Sequence, residues 1–314
     1  MGQSRASRLP FSCVAAVVAL VLVGCAGVAP AAAPEVGALP VVASFYPVQF
    51  LAERVGGDRV SVTNLTPPGS EPHDLALDGQ SMAALAEAKV VLYLGESFQP
   101  DVEKAVADAT DAVRRDLLTA PGVDVLPAPA DLGKESLAGG GDPHVWLDPV
   151  RMKAMASAVA DAYTEADPAN ADAYRTNLAA LQRDLDALDA GLRADLTGCA
   201  QSTIVTSHAA FAYLADRYGL RQVAIAGLSP DAEPDAQTLA EITDTARAAG
   251  VTTVFFEEAL PPDTAQTVAS AIGAKIDLLA ALEFDPREAL GPGQEYLSVM
   301  ADNGDRLHAG LGCP

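Results

Sequence analysis

From Pro40 to its end the chain alternates short apolar runs with stretches of helical spacing, and it does so on both sides of one long amphipathic segment. Before that segment, Val41–Phe45, Val60–Leu65, Val90–Leu94 and Val123–Leu126 predict strands. Helices are expected after Pro47 as far as Val55, over Gln80–Ala88 and Asp101–Leu118, and from Asp148-Pro149 to about Ala166. After it, Thr203–Thr206, Gln222–Ala226, Val251–Phe256 and Lys275–Leu279 predict strands. Helices are expected there over Ala209–Tyr218, Ala236–Ala249, Asp263–Ile272 and Tyr296–Leu311. Between the halves, Asp167-Pro168 is a capped helix start, and Tyr174, Leu178, Leu181, Leu185, Leu188, Leu192 and Leu196 recur at spacings of three and four up to Gly198. A helix of that length reaches about 40 Å, the width of a domain. Strands separated by helices imply parallel sheets. The fold class is therefore α/β: two α/β lobes with parallel sheets, 41–166 and 199–314, joined by one long helix, 167–198.

The N-terminus sets the compartment. Arg5 and Arg8 precede an apolar run, Val14–Val23, too short to span a bilayer and suited to a signal-peptide core. The run ends in Leu22-Val23-Gly24-Cys25, which resembles a bacterial lipobox, so residues 1–24 are expected to be removed and Cys25 lipidated. Residues 25–40, mostly Ala, Gly, Pro and Val, form a flexible tether to the cell membrane. Of the four cysteines, Cys199 and Cys313 remain in the exported part, and an oxidising compartment makes a disulfide between them the expected state. With 20 basic against 42 acidic residues, the chain lacks the basic face that nucleic acid requires.

Only four histidines exist. His73 follows the second strand, His144 lies in the loop before Asp148-Pro149, and His208 opens a helix after the strand Thr203–Thr206. Ligands of open parallel sheets bind beyond the carboxyl ends of strands. Three imidazoles meeting between two lobes would make a nitrogen-rich site that suits zinc first and other divalent metals after it. Imidazole is also a general acid–base group, so a catalytic reading exists from position alone. His308, in the last helix, is expected on the surface. The segment 127–143, rich in Pro, Gly and acids, reads as a loop.

Three blocks carry a resemblance: Ser70-Glu71-Pro72-His73-Asp74, Asp142-Pro143-His144-Val145-Trp146-Leu147-Asp148-Pro149, and Thr206-Ser207-His208-Ala209-Ala210-Phe211. In this order they are similar to the signature blocks of the zinc- and manganese-type metal-binding lipoproteins of bacterial ABC importers, the ZnuA/TroA-like group. The resemblance runs over residues 41–313 and implies two α/β lobes on a rigid helix, metal in the cleft between them, and His73, His144 and His208 as its ligands. It further implies delivery of the ion to an ABC importer permease by a monomer anchored outside the cytoplasm. Some lipoproteins of this kind are also discussed as adhesins. In one place the chain departs from the group. A carboxylate ligand usually stands in a Leu-Asp-Pro-Leu-like block, but here the block is Leu279-Ala280-Ala281-Leu282-Glu283, with Ala280 at the Asp position. The fourth position is then left to a water or to Asp277, Glu283 or Glu257, and loss of a hard oxygen ligand favours Zn2+ over Mn2+.

Three histidines with an open fourth position are also the arrangement of a zinc-dependent hydrolase, although no nucleophile elbow or phosphate loop is present. A manganese-binding member of the same group is the other alternative.

Overall fold

A computed structural model describes residues 1–2, 37–129, 136–229, 234–258 and 260–314. The expected leader, the lipid site Cys25 and most of the expected tether lie outside these residues. The architecture is that of the unit Glu35–Pro314.

The first sheet holds β1 (Leu39–Ala43), β2 (Val60–Asn64), β3 (Val90–Tyr93) and β4 (Val113–Asp116) in the order β2-β1-β3-β4. Its helices are α1 (Tyr46–Gly56), α2 (Gly79–Glu87) and α3 (Pro100–Asp108). The second sheet holds β5 (Thr203–Thr206), β6 (Arg221–Ala224), β7 (Thr253–Phe256) and β8 (Lys275–Leu278) in the order β6-β5-β7-β8. Its helices are α6 (Ala212–Tyr218), α7 (Ala236–Ala248) and α8 (Asp263–Ile272). Every strand pair is parallel, and the two lobes share one strand order despite little visible similarity in sequence. In each sheet the order reverses beside the first strand, which puts the switch points where ligands of such sheets bind.

Between the lobes run α4 (Pro149–Ala166) and the long helix α5 (Ala171–Asp195). Tyr174, Leu181, Leu185, Leu188 and Leu192 of α5 are buried along one stripe, which is the periodicity visible in the sequence. Its 25 residues give a rod of about 38 Å. One continuous apolar core links this stripe to α1, to α4, and to the closing helix α10 (Tyr296–Leu311), which follows a short α9 (Pro286–Ala289). Helix α10 lies tight on β7. A side chain at Gly310 would stand 2.6 Å from the Phe255 ring, so only glycine permits this approach.

Four expectations need correction. The fourth strand is not Val123–Leu126 but β4, and the helix expected through Leu118 ends at Asp108. As an edge strand β4 carries Arg114 and Arg115 instead of an apolar run, so it left no strand pattern to read. Val123–Leu126 is irregular and turns to the second lobe, where Leu126 N donates to Tyr213 Oη at 2.9 Å. Leu39 and Pro40, expected at the end of a tether, instead lie in β1, where Leu39 pairs with Val60. His308 is half-buried, with Nδ1 2.8 Å from the Asp195 carbonyl at the end of α5.

Cys199 and Cys313 are disulfide-bonded across 114 positions, tying the end of α10 to the segment after α5. Closing so long a loop restricts the unfolded chain. Reduction, or Cys313→Ser, should therefore cost roughly 2–5 kcal/mol, seen as a lower midpoint of thermal unfolding in reductant.

Candidate metal centre

The three histidines that lie far apart in sequence meet in one buried cluster. His73 is placed by the loop after β2, whose turn is held by its own Glu71, since Glu71 Oε1 accepts from His73 N at 3.1 Å. Buried Gln99 fixes the same loop from behind by donating to the Pro72 carbonyl at 3.1 Å. His144 precedes a single 3-10 turn, Val145–Leu147, that leads into α4. His208 follows β5, one of the two central strands of its sheet.

The fourth member is Glu283, in the segment after β8. Its Oε1 lies 3.2 Å from His73 Nε2, 3.2 Å from His144 Nε2 and 3.3 Å from His208 Nε2. A tetrahedral zinc site with bonds of ~2.0–2.1 Å separates neighbouring donors by about 3.3 Å, so the carboxylate oxygen stands at the spacing such a site needs. The side chains of His144 and His208 are fully buried, and that of His73 is 11% exposed. His144 Nε2 and His208 Nε2 are buried, make no well-aligned hydrogen bond among the described residues and face the Glu283 carboxylate, which suits donors turned toward a shared cation.

The far side of each buried ring is fixed by an acid. Asp142 Oδ1 accepts from His144 N and lies 2.9 Å from His144 Nδ1. Glu257, just after β7, accepts from His208 N at 2.9 Å and holds His208 Nδ1 through its other oxygen. A carboxylate on Nδ1 places that proton and turns Nε2 inward as a donor atom. Charge follows from this packing. Burial alone would lower every imidazole. For His208 that loss is outweighed by Glu257 and Glu283, which hold it well above its ordinary value, and Asp142 and Glu283 raise His144 in the same way. Burial wins at His73, which is lowered. Glu283 is held well below the carboxylate range, because the three histidines overcome its burial.

Of the acids left open as a fourth partner, the geometry brings Glu283 to the cluster. Asp277 instead pairs with Arg306 at 2.8 Å, and Glu257 stands behind His208. Glu283 is therefore the candidate for the fourth position. Ala280, the residue aligned with the usual Asp, is buried, and its N–H and carbonyl both bond Asn303. The segment takes a further turn, with Leu282 at φ 60°, before presenting Glu283. Sequence reasoning could include Glu283 among candidates but had no signal for this turn. A cavity of about 210 Å³, bounded by Tyr46, Gln49, Thr66 and Asp285 among others, reaches Glu283 from outside.

Two parallel-sheet lobes meeting on three imidazoles and a carboxylate define a class: two-lobed α/β proteins with a candidate metal site in the cleft. The chain belongs to the family described as zinc-uptake complex component A, periplasmic (ZnuA), whose model matches residues 41–310. It is 36% identical over 274 residues to the zinc-binding lipoprotein AdcA of Streptococcus pneumoniae, covering 85% of this chain and 54% of that protein. It thus spans about half the length of the AdcA relatives it matches. It is 31% identical over 282 residues to the high-affinity zinc uptake system protein ZnuA of Bacillus subtilis, covering 87% of this chain and 88% of that one. Among solved structures, the laminin-binding protein Lmb of Streptococcus agalactiae, described as bifunctional with adhesin and metal-transporting activity, matches with a TM-score of 0.75. That match is at 27% identity, over 86% of this chain and 98% of Lmb.

Proposed function

We propose that this protein captures one divalent transition metal ion, zinc before manganese, outside the cytoplasm and delivers it to an ABC-type importer. The observation that carries the reading is the convergence of three imidazole Nε2 atoms on Glu283 Oε1 at 3.2–3.3 Å. His73, His144, His208 and Glu283 are its ligands. Glu283 supplies the oxygen that the substitution at Ala280 had taken away, so the preference for zinc rests on the three nitrogens instead. The relatives are named for zinc uptake and zinc binding, and we read the site as one that binds metal for transport.

We further propose residues 1–24 as a leader, Cys25 as the lipid site, and lobes 41–166 and 199–314 on the connecting helix. No helix among the described residues is long and apolar enough to cross a membrane. The metal-loaded monomer would then dock on the permease.

Calorimetric titration with zinc tests the capture. One zinc per chain is expected, with proton release, because His208 and His144 hold protons above their ordinary range and must give them up to bind metal. The sign is distinct for each state. The raised histidine pKa values stabilise the metal-free fold fully below about pH 6.5, and that contribution is lost as pH rises through the higher folded values. Zinc affinity moves the other way and climbs over the same interval. Binding that releases no protons at about pH 7 in buffers of different ionisation enthalpy would contradict the assignment.

A further inference from the structure

The segment that presents Glu283 is held by side chains from three separate elements. Asn303 of α10 bonds both the N–H and the carbonyl of Ala280, at 2.9 and 2.8 Å. Trp146, two residues beyond His144, donates from Nε1 to the Ala281 carbonyl at 2.8 Å. Glu258 accepts from two successive N–H groups, Ala281 at 2.9 Å through Oε2 and Leu282 at 2.8 Å through Oε1.

The last contact stands where the backbone most needs it. Leu282 has φ 60°, a left-handed conformation that a buried leucine adopts only when its surroundings impose it. The next residue is Glu283. Relaxing Leu282 to an ordinary φ would redirect the following side chain away from the three imidazoles. Both oxygens of one carboxyl group are engaged, so two successive N–H groups are fixed against a single rigid group. Glu257 and Glu258 also divide the work along the chain. Consecutive side chains leaving a strand point to opposite faces. Glu257 turns to His208, and Glu258 turns to the Glu283 segment.

We infer that Glu258 is a positioning residue for metal binding: it locks the left-handed turn at Leu282 so that Glu283 enters the cluster. The inference rests on the metal-capture reading above and adds a residue that never touches the ion. Through Trp146 and Glu258, the turn that follows His144 and the end of β7, whose Glu257 holds His208, grip the same short segment, so the carboxylate is set in place before metal arrives.

The test is a double-mutant cycle read by zinc competition titration on Glu258→Gln, Glu283→Gln and the double variant. Gln keeps one accepting oxygen of the two. Glu258→Gln is expected to weaken zinc binding at least about tenfold, as loss of an outer partner of a metal ligand does. In the Glu283→Gln background, Glu258→Gln should have less than about a twofold further effect, since the group it positions is gone. Equal losses in both backgrounds would mark Glu258 as merely structural, and no loss in the native background would overturn its role outright. If Glu258→Gln does not fold, Glu258→Asp carries the same cycle. The two readings fail separately: Glu283→Gln with undiminished affinity would sink Glu283 as a ligand, whereas a normal Glu283→Gln loss with no effect at Glu258 would sink only the positioning role.

Discussion

Replacing His144 with alanine should end stoichiometric zinc binding, with affinity falling well beyond the roughly 10–100-fold that removal of an outer-shell partner costs. His144 is the most constrained of the three imidazoles. It is fully buried, its Nδ1 is committed to Asp142, and its ring lies between those of His73 and His208, with centroids 5.4 and 5.3 Å away. The substitution would also leave Asp142 and Glu283 as buried acids short of one positive partner. Zinc competition titration reads the result, and a loss of less than about tenfold would remove His144 from the site.

The second large effect is on stability. Asp148→Ala should destabilise the protein by roughly 3–5 kcal/mol, the cost of leaving buried charge unpaired. Asp148 is completely buried and caps α4 by accepting from Val150 N at 2.9 Å. Its other oxygen takes Arg151 at 2.5 Å from the same helix and Arg217 at 2.5 Å from α6 in the second lobe. One carboxylate thus ends a helix and pins the lobes together four residues beyond His144. Removing it strands Arg151, which is almost fully buried, whereas Arg217 is a quarter exposed and recovers some solvation. A fall in the thermal midpoint of roughly 6 °C or more is expected, with saturating zinc restoring part of it because the ion binds only the folded chain. A midpoint within about a degree of the native one would show that the triad contributes little.

The elements that bury an apolar stripe or run were readable from residue order: β1, β3, β5, β7 and the α5 helix all declare themselves by spacing. Strand β4 did not, because an edge strand with two arginines has no reason to alternate cleanly. The histidines were legible as a set, since each stands beyond a strand end or in a loop and three of the only four meet. The fourth group was not. Position 280 holds alanine, and the carboxylate arrives three residues later by way of a left-handed turn at Leu282. That turn depends on Asn303, Trp146 and Glu258, side chains distant in sequence, so no local pattern could report it.

Zinc X-ray absorption on the metal-loaded protein tests the central claim most directly. The expected first shell is three imidazole nitrogens and one carboxylate oxygen, at ~2.0–2.2 Å, with the oxygen replaced by a water in Glu283→Gln. A shell with fewer than three imidazoles, or one unchanged when His73, His144 and His208 are all substituted, would contradict it.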